Sequence, residues 1–459
     1  MDLELQPALP ISRWTDFRLT SRLAVPLILT ELGWMSMGLV DTIMVGRLPD
    51  SAIAIGAAGL GQSLYHSLAI FGAGLLLGLD TLVSQAYGRE DLSHARQSLI
   101  SGLFLALAMA PAFMLGISFW PVWMQRVGIG ADLVEPMRPF LSALNWGTLP
   151  LLAYFALRRY LQAVNVTTPI MIAVVSANII NAAGDWILIY GHFGLPAMGV
   201  AGSGWSTCAS RVYMATFLAI TLWWVESKRP APSRWGAIRI DLDRIWALLK
   251  LGAPAASQIL FEIGAFSAAT ALVAKLGAVP LAGHEIALNC AALTFMVPLG
   301  ISSAAAVRVG HQLGKQDSAG ARRAGWSAIL LGLAFMTCSG LVFISFPRPI
   351  ARLFSPDPVV VAMGAKLLLV AAAFQLFDGL QTVATGALRG AGNTKTPMVA
   401  NFVAYWLIGL PAGYLLCFRM QWGALGIWIG LCAGLMLIGS SLLVAWSKQK
   451  LPAQAEPNR

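Results

Sequence analysis

Seven acids stand where an acid is costly to keep. Glu31, Asp41, Asp80, Asp185, Glu262, Glu285 and Asp378 all fall inside long apolar stretches of a chain with 21 Asp and Glu in its 459 residues. A carboxylate at the centre of a bilayer costs about 2.5–3.5 kcal/mol on insertion scales. It is kept there to bind a proton or a cation, or it is neutralised by a nearby polar group. Asn178, Asn181 and Asp185 recur at i, i+3 and i+7, so one helix would carry them on one face as an oxygen-rich site for a proton or a hard cation. Asp41 can reach the same cavity, and Thr207 can add a hydroxyl. Gln375, Asp378, Thr382 and Thr385 share a second face, at i, i+3, i+7 and i+10. Gln258 and Glu262 lie one turn apart on another stretch. Glu262 and Asp378, on different helices, can share a proton or coordinate a cation. Asp80 is expected to cap or pair locally, and Glu31 follows Pro26 by about one turn, where a kink frees a backbone carbonyl.

The elements that must hold these residues are membrane helices. Hydrophobic residues make up 57% of the chain, charged residues 11%, and the mean hydropathy is +0.71. Typical soluble domains have roughly 45–50% apolar and about 25% charged residues, so a soluble enzyme, a disordered chain and a nucleic-acid-binding domain are excluded. A spanning helix needs about 20 apolar residues. Twelve stretches qualify, near 20–45, 54–83, 97–122, 136–160, 168–190, 198–225, 246–275, 282–312, 325–347, 362–388, 396–418 and 423–447. The polar gap 226–245 divides them into two sets of six. The expected architecture is an all-α polytopic membrane protein of twelve transmembrane helices, in two six-helix bundles related by a pseudo-two-fold along the membrane normal. Its divisions are an N-terminal segment (1–19), an N-lobe (20–225), a linker (226–245), a C-lobe (246–447) and a C-terminal tail (448–459). Alternating the gaps across the membrane puts 21 Lys and Arg on one side and 8 on the other, with Arg211 and Arg308 inside spans. The basic side is expected to be cytoplasmic and to hold both termini. The polar N-terminus shows no cleavable signal pattern.

The halves repeat. Pro26 pairs with Pro254, Gly88-Arg-Glu-Asp91 with Gly314-Lys-Gln-Asp317, Asn165-Val-Thr-Thr-Pro169 with Asn393-Thr-Lys-Thr-Pro397, and Gly199-Val-Ala-Gly202 with Gly423-Ala-Leu-Gly426, at offsets of 224–228. A parallel repeat suits two bundles rocking around a shared site. Cys208, Cys290, Cys338, Cys417 and Cys432 have no metal-ligand spacing and read as small buried hydrophobes. Gly314-Lys315 lacks the rest of a phosphate-binding loop, and His284-Glu285 lacks the second His of a zinc-protease motif. With no GxSxG elbow either, no enzyme is expected, and an ion gradient is the expected drive.

Val40-Asp41-Thr-Ile-Met-Val-Gly46-Arg47, Asp80-Thr-Leu-Val-Ser-Gln85-Ala-Tyr-Gly88, Gly252-Ala-Pro254 with Glu262, and Ala387-Leu-Arg389-Gly with Asn393-Thr-Lys-Thr-Pro397 resemble the multidrug and toxic compound extrusion (MATE) family, closest to its bacterial norfloxacin-exporter-like branch. The resemblance runs over about 20–447. It implies two lobes around a central cavity and export of organic cations and drugs in exchange for Na⁺ or H⁺. By position it assigns Asp41, Asn181, Asp185 and Thr207 to an N-lobe cation or proton site and Glu262 and Asp378 to the C-lobe acids. Phe374 stands where some members carry Tyr, so a site that uses that hydroxyl would lack it. Both lobes keep their acids, so either lobe and either ion fits. Asn178, Gln258, Phe374 and Gln375 are the expected substrate-cavity residues. The expectation is therefore an ion-coupled multidrug antiporter of the bacterial inner membrane, monomeric, with small-molecule substrates and the bilayer as partners, no nucleic acid, no cofactor and no structural metal. The alternative is a flippase of related fold for a lipid-linked precursor.

Overall fold

The structure is a computed structural model that describes residues 13–49, 51–128, 130–229 and 239–451. Residues 1–12 of the expected N-terminal segment, 230–238 of the linker and 452–459 of the tail lie outside the described residues. The first half contains α1 (Arg13–Val45), α2 (Ser51–Leu75), α3 (Gly78–Gly88), α4 (Leu92–Arg126), α5 (Ala131–Trp146), α6 (Thr148–Ala163), α7 (Thr168–Tyr190) and α8 (Val200–Ser227). The second contains α9 (Leu242–Ala274), α10 (Ala278–Gly314), α11 (Ser318–Ser345), α12 (Pro347–Arg352), α13 (Pro358–Gly390), α14 (Lys395–Asn401), α15 (Leu410–Tyr414) and α16 (Ala424–Lys448). Two π-helical stretches, Phe402–Gly409 and Leu415–Arg419, flank α15. Among the described residues eleven helical segments are long and apolar enough to cross a membrane, and α5 with α6, bent by 43°, makes a twelfth as one broken span.

Local chemistry accounts for the irregularities. Pro26 cannot donate within α1, and Thr30 Oγ1 donates to the Pro26 carbonyl at 2.8 Å. At the α5–α6 break, Gly147 leaves room for Arg211, whose Cδ would stand 3.0 Å from a Cβ there. Arg211 Nη1 donates to the Leu144 carbonyl (3.3 Å), and its guanidinium lies 4.4 Å from the centre of the Tyr65 ring. The repeat is visible in the caps. Glu90 and Gln316 both take φ +61°, and the following Asp91 and Asp317 accept from His94 N (3.0 Å) and Gly320 N (2.7 Å) to start α4 and α11. The third sequence match slips by one residue. The left-handed residue after α6 is Asn165 (φ +64°), but after α13 it is Gly392 (φ +81°) rather than Asn393.

Two large hydrophobic cores result, with a small satellite of Ala106, Ala110 and Leu152. One is built from the first-half helices together with Leu248 of α9, the other from the second-half helices together with Leu23, Ala24 and Leu27 of α1. The bundles meet at the end that collects most of the Lys and Arg, here called the basic end. Glycines permit the approach: a Cβ on Gly252 would collide with the Leu75 carbonyl, one on Gly88 with the His311 carbonyl, and one on Gly74 would come within 2.6 Å of Ala256 Cα. Every hydrogen bond between the bundles among the described residues lies at this end. They include Thr81 Oγ1 to the Arg389 carbonyl (2.5 Å), Gln85 Nε2 to the Gly390 carbonyl (3.1 Å) and His311 Nε2 with the Ala163 carbonyl (2.6 Å). Of the cysteines, Cys208, Cys290, Cys417 and Cys432 are buried as expected, whereas Cys338 is exposed on the flank of α11.

Candidate functional site

The acids inside the helical bundles fall into two chemical groups. The first is paired with arginine. Arg158 donates to Glu31, and Arg96 Nε donates to Glu226 at 2.6 Å. Arg308 Nη2 donates to Asp16 at 2.6 Å. Asp80, fully buried, takes Arg159 at 3.4 Å from its own bundle and Arg389 at 3.3 Å from the other. Local capping of Asp80 is thus corrected, because its partners come from α6 and α13 and its carboxylate ties the two bundles together. Glu31 likewise has a guanidinium partner rather than a freed carbonyl.

The second group has no ion-pair partner. Among the described residues no Lys, Arg or His forms an ion pair with Asp41, Asp185, Glu262 or Asp378. In the first bundle α1, α7 and α8 converge. Thr207 Oγ1 donates to Asp41 Oδ2 at 3.2 Å, and Thr207 adjoins Ser206, which bonds Asn181, so Asp41 is brought to the face of α7 that carries Asn181 and Asp185. Asn181 and Asp185 are fully buried. Ser206, adjacent to Thr207, orients the amide: Asn181 Nδ2 donates to Ser206 Oγ (3.1 Å), which donates to the Asn181 carbonyl (2.7 Å). Asn181 Oδ1 and both Asp185 oxygens have no hydrogen-bond partner. Two neighbouring carboxylates disfavour each other's charge, so a proton taken up by one of them or a cation bound between them relieves the site. Asn178 is on the same face but spends its amide on packing, donating to the Gly33 carbonyl of α1 (2.9 Å) and the Val174 carbonyl (2.8 Å).

In the second bundle α9 and α13 bring Glu262 and Asp378 together through Gln381. Its amide donates to Glu262 Oε1 at 2.9 Å and to Asp378 Oδ1 at 3.4 Å. Gln375 donates to Thr294 Oγ1 (2.5 Å), while its own oxygen has no hydrogen-bond partner. Gln258 is buried one turn before Glu262. Phe374 is 1% exposed and packs in an aromatic cluster with Phe266 (6.0 Å between ring centres) and Trp428 (5.6 Å). No hydrogen bond or ion pair joins the two acid clusters among the described residues. Gln381, Ser206 and Thr294 were not singled out from the sequence. Gln381, three residues after Asp378, and Ser206, beside Thr207, were within reach of the same spacing argument. No group of three or more metal-ligating side chains occurs among the described residues, so neutral oxygens would supply most of any cation shell here.

The MatE family model matches this chain twice, over residues 26–187 and 254–415, and the shift from 26 to 254 is that of the Pro26/Pro254 pair. The chain is 36% identical over 449 residues to the probable multidrug resistance protein NorM of Mesorhizobium japonicum, with 96% of each covered. It is 37% identical over 438 residues to the protein of the same description from Bradyrhizobium diazoefficiens, covering 94% of this chain and 92% of that one. Its fold is similar to that of the eukaryotic MATE transporter AtDTX14, with a TM-score of 0.86 at 22% identity over 96% of this chain and 97% of that one. Fold and relatives together define a multi-pass membrane transporter rather than an enzyme. The chain belongs to the MatE, or multidrug and toxic compound extrusion, family of multidrug efflux transporters.

Proposed function

We infer that the protein is a secondary antiporter that exports amphiphilic organic cations and drugs in exchange for Na⁺ or H⁺. The two lobes (20–225 and 246–447), joined by the linker 226–245, alternate access to a cavity between them. The chain works as a monomer in the bacterial inner membrane, with both termini cytoplasmic. One observation carries this reading: the four intramembrane acids that form no ion pair among the described residues fall into two sets of two, one in each bundle. An unpaired buried carboxylate is costly, and a proton or cation relieves that cost. If loading is more favourable in one lobe arrangement than the other, the difference in free energy drives the switch. Contacts between lobes are concentrated at the basic end, so this arrangement is closed there. In it, Asp41, Asp185, Glu262 and Asp378 would be reached from the opposite side, where the incoming ion arrives. Asn178, Gln258, Phe374 and Gln375 are proposed to affect the cavity, Phe374 and Asn178 through packing. A lipid-precursor flippase would need free cationic groups for a pyrophosphate; Arg158, Arg159, Arg308 and Arg389 are all ion-paired, and Arg211 is buried against the Leu144 carbonyl and the Tyr65 ring, which favours the antiporter.

The test is accumulation of a fluorescent cationic dye in cells expressing Asp41→Asn, Asp185→Asn, Glu262→Gln or Asp378→Asn. Each should accumulate more dye than wild type. Four variants that expel dye as well as wild type would overturn the mechanism.

A further inference from the structure

The second-bundle cluster holds more unpartnered oxygen than its two acids account for. The side-chain oxygens of Gln375, Gln381, Thr382, Thr385 and Tyr405 are all buried without a hydrogen-bond partner. Leaving such an atom unsatisfied costs about 1–3 kcal/mol, and buried polar groups normally find partners. Tyr405 stands out because sequence spacing gave no reason to place it at the site. It is fully buried on a stretch held against α9 beside Glu262, where the neighbouring Trp406 Nε1 donates to the Phe261 carbonyl at 3.0 Å. Its ring packs edge-on against Phe266 at 5.8 Å, and Phe266 lies one turn beyond Glu262 on α9. Phe266 in turn meets Phe374, so one aromatic cluster holds both the residue that lacks a hydroxyl and the one that has it. Tyr405 belongs to the π-helical stretch Phe402–Gly409. A π turn re-aims the side chains it carries relative to an α-helix and is frequent at functional sites.

We propose that Tyr405 supplies the neutral oxygen of the Glu262/Asp378 site, in place of the hydroxyl absent at Phe374. This rests on the antiporter reading. The phenol keeps its proton throughout. With the site empty, its hydroxyl has no hydrogen-bond partner; with the site loaded, its oxygen lone pair accepts from a protonated carboxyl or faces a bound cation. Proton and Na⁺ call on the same lone pair, and the two arms of the experiment separate them.

The experiment uses purified full-length protein in lipid vesicles, with ethidium as the transported probe and either a Na⁺ gradient or a pH gradient imposed alone. Tyr405→Phe keeps the ring and its packing. It should raise the Na⁺ concentration needed for half-maximal transport about tenfold, or move the pH profile by about one unit, with the maximal rate retained. Tyr405→Phe combined with Phe374→Tyr should recover part of that shift. Phe374→Tyr alone, which adds a hydroxyl and removes none, should shift the ion dependence the opposite way and provides the reading if Tyr405→Phe folds poorly. Unchanged ion dependence in both single variants, while Glu262→Gln loses gradient drive, would overturn the role of Tyr405 and leave the antiporter intact. Gradient drive retained by Glu262→Gln and Asp378→Asn would remove both.

Discussion

The seal at the basic end and the interiors of the two bundles bury acids in opposite ways. At the seal and around it every buried acid meets a guanidinium: Asp16 with Arg308, Glu31 with Arg158, Asp80 with Arg159 and Arg389, Glu226 with Arg96. Deeper in, Asp41 faces Asp185, and Glu262 is linked to Asp378 only by the amide of Gln381. A carboxylate whose charge is already neutralised holds helices together and has little left to bind. One that faces another carboxylate has an unmet need that only a mobile proton or cation can fill. An acid's partner, more than its depth, therefore separates the structural acids from the working ones.

The largest effect expected from this contrast is on stability. Asp80→Asn leaves Arg159 and Arg389 buried without their carboxylate, and removing one partner of a buried pair costs about 3–5 kcal/mol. Thermal unfolding of the detergent-purified protein should show a markedly lower midpoint. Glu262→Gln and Asp378→Asn should do the reverse, with an unchanged or higher midpoint and a loss of ion-driven transport within the roughly 5–150-fold range of a coupling free energy. An equal loss of stability in both classes would erase the distinction.

These variants also mark what was legible beforehand. Glu262, Asp378, Asp41 and Asp185 stand out because an acid in an apolar run is conspicuous, and the helices follow from the apolar runs themselves. Partners are not legible. The Arg389 that meets Asp80 comes from the other half of the chain, and no periodicity links them. For the same reason Arg96, Arg158, Arg159 and Arg389 read as surface charges of the basic side, although folding buries all four against carboxylates. Gln381 was legible in principle, since it follows Asp378 by about one turn. Tyr405 was not, because its place at the site depends on a π-helical stretch, and the sequence reads there as an ordinary apolar span.

The seal can be tested sterically without touching a charge. Gly252→Ala would drive a methyl into the Leu75 carbonyl, and overpacking of this kind costs about 1–3 kcal/mol. Because that contact exists only where the bundles touch, the cost should fall on the closed arrangement of the basic end. In a background lacking the five native cysteines, Ser84→Cys, buried against Gly310, should be labelled faster by an impermeant maleimide applied at the basic side once Gly252→Ala is added. Unchanged labelling would mean that the bundles adjust without opening there.

The smallest expected effect separates Asn178 from its neighbours on the same face of α7. All three carry an unpartnered side-chain oxygen, but the Asn178 Nδ2 is committed to the Gly33 carbonyl of α1 and the Val174 carbonyl, whereas Asn181 is tied only to Ser206 and Asp185 to nothing. Asn178→Ala should therefore lower the unfolding midpoint by an amount corresponding to about 1 kcal/mol, the net worth of an ordinary hydrogen bond, and leave the ion dependence of transport where it was. Asn181→Ala should show the opposite balance, with its ion dependence moved by more than its stability. If Asn178→Ala instead changes which dyes are exported, its side chain lines the substrate path, and the three residues at i, i+3 and i+7 act as one site rather than as a packing residue beside a binding pair.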